Sequence, residues 1–459
     1  MTLLADIHSL VGDKGLITGA DAAARPADWL GRERCEAMAI VRPASTAELS
    51  RVMKLCHAAR QPVVPAGGLT GLVHGAKAGP EELLISLERM RSIESIDPIG
   101  RTMTLQAGVP LQAVHEAAAE HGLIYGVDLG SRGSCTIGGN ISTNAGGNTV
   151  IRYGMTRDNV LGLEAVLADG TIVSSMNTLL KNNAAYDLKQ LFIGSEGTLG
   201  FVTRAVLKLH PAPASEATAI VAIDGFDNLT GFFAHVGRRL GGLVRSFEVM
   251  WNSYYQRIGV DSGRHQPPLP AGHDFYVIVE AAGNDPDADS ALFTEVLGAA
   301  MEKSLAADAV IASSKSQHDA IWAIREDVEG QIKTFMPGVA FDVSLPIMRM
   351  QEYISGLQES LPSVCGATAM MAVFGHIGDS NLHIVIAPRP WSPEAKRRAE
   401  EMVYHPLLAI GGSVSAEHCI GLDKRQWLPL SRNAEELALM RQLKAALDPF
   451  GLLNRGKVL

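Results

Sequence analysis

Gly130-Ser131-Arg132-Gly133-Ser134-Cys135-Thr136-Ile137-Gly138-Gly139-Asn140-Ile141-Ser142-Thr143-Asn144-Ala145-Gly146-Gly147-Asn148 is the stretch on which the fold turns. A run so rich in glycine adds little to a core. Its value is that glycine lets the main chain adopt unusual φ/ψ, come close to a ligand and present N–H groups to phosphate oxygens. The bland reading is a flexible linker, but Ile137, Ile141 and the repeated asparagines argue against it. Pro65-Ala66-Gly67-Gly68-Leu69-Thr70-Gly71 has the same character and follows the short buried-strand pattern Gln61-Pro62-Val63-Val64-Pro65. Neither stretch is G-x-G-x-x-G after a strand, nor a Walker loop, so the usual nicotinamide and nucleoside-triphosphate signatures are absent.

Working outward, Pro43 to Glu48 opens a helix. Ser45 is the expected cap, Glu48 stands three residues later as in a capping box, and Leu49, Val52, Cys56 and Ala59 mark one apolar face. Strand patterns follow at Leu83–Leu87 and Met103–Ala107, a helix after Val109, and strand–turn–strand across Leu163–Val173 around Asp169-Gly170. His210-Pro211-Ala212-Pro213-Ala214 reads as a boundary. Beyond it, strands such as Ala219–Ile223 and Phe275–Glu280 alternate with helical runs such as Asp289–Lys303, an α+β pattern with an antiparallel sheet. Ala434–Ala446 is a closing helix. At 459 residues the chain is too long for one ordinary core.

Composition bounds the function. Hydrophobic residues make up 47% and charged residues 19%, which indicates a well-buried globule rather than a disordered chain. The net charge of −9, without a Lys/Arg block, argues against nucleic acid as a partner. Five scattered cysteines with no Cys-x-x-Cys imply free thiols in a reducing compartment. No secretory leader or spanning helix is legible, so a cytoplasmic protein is expected, with peripheral docking to a membrane left open.

Chemistry concentrates late in the chain. Val373-Phe374-Gly375-His376 and Leu382-His383-Ile384-Val385-Ile386 flank Gly378 and Asp379 as the arms of a hairpin. A turn centred on Asp379-Ser380 puts His376 directly across from His383, with Cβ atoms roughly 5 Å apart. Two imidazoles joined by a carboxylate from elsewhere, with Glu417-His418 downstream, offer three ligands for a divalent metal and leave a coordination position open. The bland alternative is polar decoration of a sheet and its turn.

These segments resemble a family. Pro65–Gly71, Thr136–Gly147 and Gly194-Ser195-Glu196-Gly197-Thr198-Leu199-Gly200 look like the flavin-binding segments of the vanillyl-alcohol-oxidase type FAD fold. His376–His383, Ser415–His418 and Asp448–Lys457 narrow this to the FAD-linked D-2-hydroxy-acid dehydrogenases, the D-lactate, D-2-hydroxyglutarate and glycolate-oxidase-like group, over nearly the whole chain.

The resemblance implies an α+β protein with a two-subdomain FAD-binding domain over residues 1–213 and an antiparallel-sheet cap over 214–425. Residues 426–459 would return to the FAD domain. FAD would be met by Pro65, Ala66, Gly67, Gly68, Leu69, Thr70, Gly71 and Leu72; by Gly130, Ser131, Thr136, Gly138, Gly139, Asn140, Thr143, Asn144, Gly146 and Gly147; and by Glu196, Gly197, Val202 and Asn454. His376, His383 and Glu417 match the family's ligands for zinc or manganese, His418 its base, Arg325 its substrate-carboxylate anchor and Asn381 a polar group beside the substrate.

The implied reaction is chemically coherent. The C2 hydride of a 2-hydroxy acid goes to a flavin and the hydroxyl proton to a neutral imidazole. A chelated metal acidifies the hydroxyl, and an arginine holds the carboxylate bidentately. An ion pair with Glu326 or Asp327 is the bland role for Arg325.

Departures bear on the substrate. Dicarboxylate-specific relatives carry Thr and Lys where this chain has Glu329 and Ala340, so a D-2-hydroxy monocarboxylate, lactate-like or apolar-tailed, is expected over D-2-hydroxyglutarate. Cys419 stands where glycine is common after Glu-His and narrows the space beside His418. Leu69 and Thr70 occupy the place of a flavin-tethering histidine, so FAD is expected to be non-covalent. The electron acceptor is open among a quinone, a cytochrome and an electron-transfer flavoprotein, and a homodimer is compatible with the sequence. Two readings from other classes are a metal-dependent hydrolase and a non-catalytic flavoprotein subunit.

Overall fold

The computed structural model describes residues 2–459, which divide into two compact units. The first contains the chain up to Gly147, residues 153–212 and residues 417–459; the second contains residues 148–152 and 213–416.

Two sheets build the first unit. One runs Leu16–Thr18, Ala39–Val41, Leu83–Ser86, Val63–Ala66 in spatial order. Its first pairing is antiparallel and the other two are parallel. The parallel pairing needs a crossover, and the helix Thr46–Ala59 supplies it. Ser45 Oγ accepts the Glu48 N–H at 3.1 Å, while the Glu48 carboxylate reaches one residue further back, to the Ala44 N–H at 2.8 Å. Leu49, Val52, Met53 and Cys56 are buried; Ala59 is exposed, because the left-handed Arg60 ends the helix there.

The second sheet is antiparallel, in the order Ile93–Asp97, Thr102–Gln106, Phe201–Pro211, Val160–Val166, Ile172–Ser175, with Leu123–Tyr125 also on Phe201–Pro211. The C-terminal helix Ala434–Leu447 is fastened to this unit by Lys444. Its ammonium donates to the carbonyls of Thr198 and Leu453, both at 2.7 Å, and to Asp448 at 2.5 Å.

The glycine-rich run is only partly a loop. Ile137–Thr143 is a short helix in which Ile137 and Ile141, one turn apart, point into the core. Two buried isoleucines outweigh the helix-breaking tendency of the Gly138-Gly139 pair.

A seven-stranded antiparallel sheet organises the second unit. Its order is Asp308–Ile311, Ser215–Ile223, Phe275–Gly283, Val244–Trp251, Met370–Gly375, Asn381–Ala387, Val339–Ser344. The registers put Thr218, Glu280, Ser246, Glu248, Met250 and Phe374 on one face. Ile321, Trp322 and Ile324 of the helix Lys315–Arg325 pack there, in one cluster with Met250, Ile278, Ala372 and Val385. The fold is thus α+β, as expected.

Candidate active site

The hairpin forms in a register different from the expected one. Phe374, not His376, is the cross-strand partner of His383. The reason is the turn: Ile377–Asp379 is a 3-10 turn and Ser380 is left-handed (φ 73°), which lengthens the connection and lifts His376 off the strand. The two imidazoles still meet, with ring centroids 5.4 Å apart and nearly perpendicular planes.

His376 is buried and its Nδ1 lies against the Glu248 carboxylate. The other oxygen of Glu248 accepts from Arg325 Nε at 3.0 Å and pairs ionically with NH2 at 2.9 Å. Burial alone would push the Glu248 carboxyl up; the electrostatic attraction and hydrogen bonds of His376 and Arg325 outweigh it and hold that carboxyl below its usual range. Arg325 NH2 also lies 3.4 Å from His376 Nε2, and its guanidinium carbon sits 4.5 Å from the Phe374 ring centre. The expected bidentate fork of Arg325 is therefore occupied by Glu248, and NH1 is the nitrogen left to face a ligand. The bland partners, Glu326 and Asp327, bond elsewhere: Glu326 accepts from Asn148 at 3.2 Å, and Asp327 accepts from Arg264 and His265.

Asn381 is buried, and neither its Oδ1 nor its Nδ2 has a hydrogen-bond partner among the described residues. His383 Nδ1 stands 3.9 Å from Asp342, its neighbour in register on Val339–Ser344. Asp342 also accepts from the Ala416 N–H at 3.0 Å and the Ser415 hydroxyl at 3.2 Å. This pins the last residues of the second unit immediately before Glu417-His418.

Sequence reasoning missed Glu248 and Asp342. The available signal was an acidic residue inside an otherwise apolar strand, Phe247-Glu248-Val249 and Phe341-Asp342-Val343, where a buried charge requires partners.

In the first unit, Pro65 and Ala66 end the strand Val63–Ala66, and Gly67 to Leu72 form a partly exposed loop. Gly68 is needed for the loop to lie on its neighbour, since a Cβ there would stand 2.0 Å from the Ser134 carbonyl. Thr136, Gly138, Gly139, Asn140 and Thr143 belong to the short helix or its cap. Asn144, left-handed, accepts the Arg157 N–H at 2.9 Å. Gly130 and Ser131 lie in the turn before it, where Ser131 O accepts the N–H groups of Ser134 and Cys135. Gly146 and Gly147 are buried, and the Gly147 N–H donates to the Glu417 carboxylate at 3.1 Å. Val202 is a core residue.

Glu196, left-handed and followed by the buried Gly197, turns its carboxylate to the N–H groups of Ile420 and Gly421, each at 2.9 Å. Burial raises its pKa, against those two hydrogen bonds. Asn454 Nδ2 donates to Gly75 O and Glu196 O, while its buried Oδ1 has no donor among the described residues. Cys419, left-handed, places its Sγ 3.1 Å from the Thr143 carbonyl. None of the five cysteines forms a disulfide among the described residues.

The chain matches two family models: "FAD binding domain" over residues 37–175 and "FAD linked oxidases, C-terminal domain" over residues 212–458. A D-2-hydroxyglutarate dehydrogenase of Xanthomonas citri pv. viticola is 39% identical over 440 residues, covering 94% of this chain and 91% of that protein. A mitochondrial D-2-hydroxyglutarate dehydrogenase of Bos taurus is 36% identical over 433 residues, covering 94% of this chain and 78% of the bovine one. Among solved structures, p-cresol methylhydroxylase with substrate bound aligns with a TM-score of 0.77 at 15% identity, over 99% of this chain and 96% of its own.

Proposed function

The chain belongs to the FAD-linked oxidase family, with the D-2-hydroxyglutarate and D-lactate dehydrogenases, and from that premise we propose that it oxidises a D-2-hydroxy acid to the 2-oxo acid with non-covalent FAD and a divalent metal, zinc or manganese. Family membership sets aside the hydrolase reading. The observation that carries the proposal is the His376–Glu248–Arg325 constellation in the unit that accompanies the FAD-binding fold.

Both implied groups fit residues present. The Asn454 Oδ1 acceptor and the partly exposed Gly67–Leu72 loop suit a cofactor that brings N–H donors and phosphate oxygens. For the metal, a ligating histidine commonly donates its second ring nitrogen to a carboxylate, and His376 does so with Glu248. His376, His383 and Glu417 would hold the ion. A bound FAD supplies the hydride acceptor, and the metal supplies a Lewis acid that acidifies the substrate hydroxyl.

The chain's own residues do the rest. Arg325 orients the substrate carboxylate through NH1, with Phe374 stacked beneath its guanidinium. The buried Asn381 amide offers its NH2 donors and its carbonyl acceptor to the substrate. His418 accepts the hydroxyl proton on an imidazole nitrogen.

Ala340 lies on the same face of its strand as Asp342, the register partner of His383, and its methyl group has no charge to offer a second carboxylate. This favours a monocarboxylate. Glu329 contributes less to that preference than its charge suggests: it is exposed and accepts from Arg264 at 2.9 Å and from Lys333 at 2.5 Å. The competing substrate is D-2-hydroxyglutarate, favoured by the names of the relatives. A cytoplasmic site of action is part of this reading, and cell fractionation tests it against the mitochondrial setting of the bovine relative.

The deciding experiment is anaerobic bleaching of the bound flavin by D- and L-2-hydroxy acids, with and without chelator. Bleaching by D-monocarboxylates that is lost on chelation is expected. Equal bleaching by D-2-hydroxyglutarate removes the tail preference, and bleaching by neither removes the activity.

A further inference from the structure

We propose that Glu248 is the positioning residue of this site, setting both the ring orientation of the metal-binding His376 and the presentation of Arg325 to the substrate carboxylate. The inference rests on the function proposed above. Glu248 reaches the site from the strand Val244–Trp251, about 130 positions before the hairpin, and is 1% exposed.

The two carboxylate oxygens divide the work. Oε1 meets His376 Nδ1, and Oε2 accepts from Nε of Arg325 and forms an ion pair with its NH2. An ionised carboxylate has only lone pairs, so the Nδ1 atom facing it carries the proton. At the far side of the ring, Nε2 stands 3.4 Å from a guanidinium NH2, which can only donate. A second N–H at Nε2 would oppose that donor, so Nε2 presents its lone pair. This is the tautomer a divalent metal requires of a histidine, and Glu248 selects it.

On the arginine side, the same carboxylate occupies the Nε–NH2 edge, and NH1 has no hydrogen-bond partner among the described residues. Substrate binding therefore proceeds through one edge of a guanidinium already held rigid between Glu248 and the Phe374 ring. One anion balances the arginine before substrate arrives, so the site is not a bare buried cation awaiting any anion.

The test is Glu248→Gln, which conserves volume but leaves a single acceptor oxygen and sets an NH2 donor against a neighbouring donor. FAD content and the thermal melt report folding. Zinc and manganese affinity are measured by competition with a fluorescent chelator on metal-stripped protein, and KM and kcat are measured on the metal-saturated protein. Metal affinity is expected to fall about 10- to 100-fold, the usual cost of losing such a carboxylate. KM is expected to rise about 10-fold or more, with kcat at saturating metal changed less. Glu248→Asp keeps the charge but is one methylene too short to serve both partners. It carries the same measurements if the glutamine variant loses its flavin, and it is expected to impair either metal affinity or KM.

Wild-type metal affinity and KM in a folded, FAD-replete variant overturn the proposal. A wild-type protein that binds no metal, while KM still rises in the variant, overturns the metal reading above and leaves the arginine half of the proposal standing.

Discussion

Replacing Asn381 by leucine should make the protein more stable and less active. Asn381 is 3% exposed, and both polar atoms of its amide lack a partner among the described residues. An unsatisfied buried polar group costs about 1–3 kcal/mol. Leucine is close in shape and removes both groups, while the backbone bond from the Asn381 N–H to the His376 carbonyl, at 3.2 Å, does not depend on the side chain. Allowing for part of the gain being lost to imperfect packing, the expected stabilisation is about 1–2 kcal/mol. The assay is urea unfolding of the flavin-loaded protein, followed by tryptophan fluorescence, together with kcat/KM for the best D-2-hydroxy acid. Activity is expected to fall about 100-fold or more, because an amide poised for a substrate is replaced by a surface that bonds to nothing. A destabilised N381L enzyme that turns over at the wild-type rate would refute the reasoning: the amide would then be a structural group satisfied by solvent rather than by substrate.

Three further outcomes are expected. The Asp327 carboxyl is pushed up by burial but more strongly lowered, by Arg264, the Gly330 N–H and His265, to about 2 from an ordinary 3.8. A depressed carboxyl stabilises the fold above its unfolded pKa and loses that contribution as pH falls toward the folded value. Asp327→Asn should therefore cost about 2 kcal/mol at pH 7, shrinking between pH 4 and 2, in urea melts across that range. Hydrogen bonding to Glu280 raises the pKa of His318 against burial, so its contribution is present below the ordinary imidazole value of 6.5 and is lost as pH rises through the folded value. His318→Asn should accordingly destabilise more at pH 6 than at pH 9, by under about 1 kcal/mol because a third of the ring is in solvent, measured as the shift in Tm. Gly147→Ala would place a Cβ 1.9 Å from the Asp128 carbonyl at φ +128°. A loss of about 2–4 kcal/mol in stability is expected, with weaker metal retention on dialysis as the N–H that holds Glu417 moves.

What the sequence determined by itself is the chemistry and its order along the chain. Glycine-rich loops with embedded isoleucines, a histidine hairpin and a Glu-His pair are local patterns, and local patterns carry backbone freedom and ligand type. Ser45 and the helix it caps were legible for the same reason, since caps and amphipathic stripes act over a few residues. Even there, packing adjusted the detail: Ile137 and Ile141 drew the glycine run into a helix, and the 3-10 turn after His376 shifted the hairpin register so that Phe374, not His376, faces His383.

Only the tertiary structure decided which distant groups share a buried charge. Glu248 is remote in sequence from both Arg325 and His376, and no periodicity or spacing rule relates the three. They pair because a carboxylate on the covered face of a sheet must find donors, and sheet register together with the helix Lys315–Arg325 decides which donors arrive. The same burial that forces the pairing removes competing water, so a charge placed by long-range topology comes to govern the local chemistry of a histidine and an arginine.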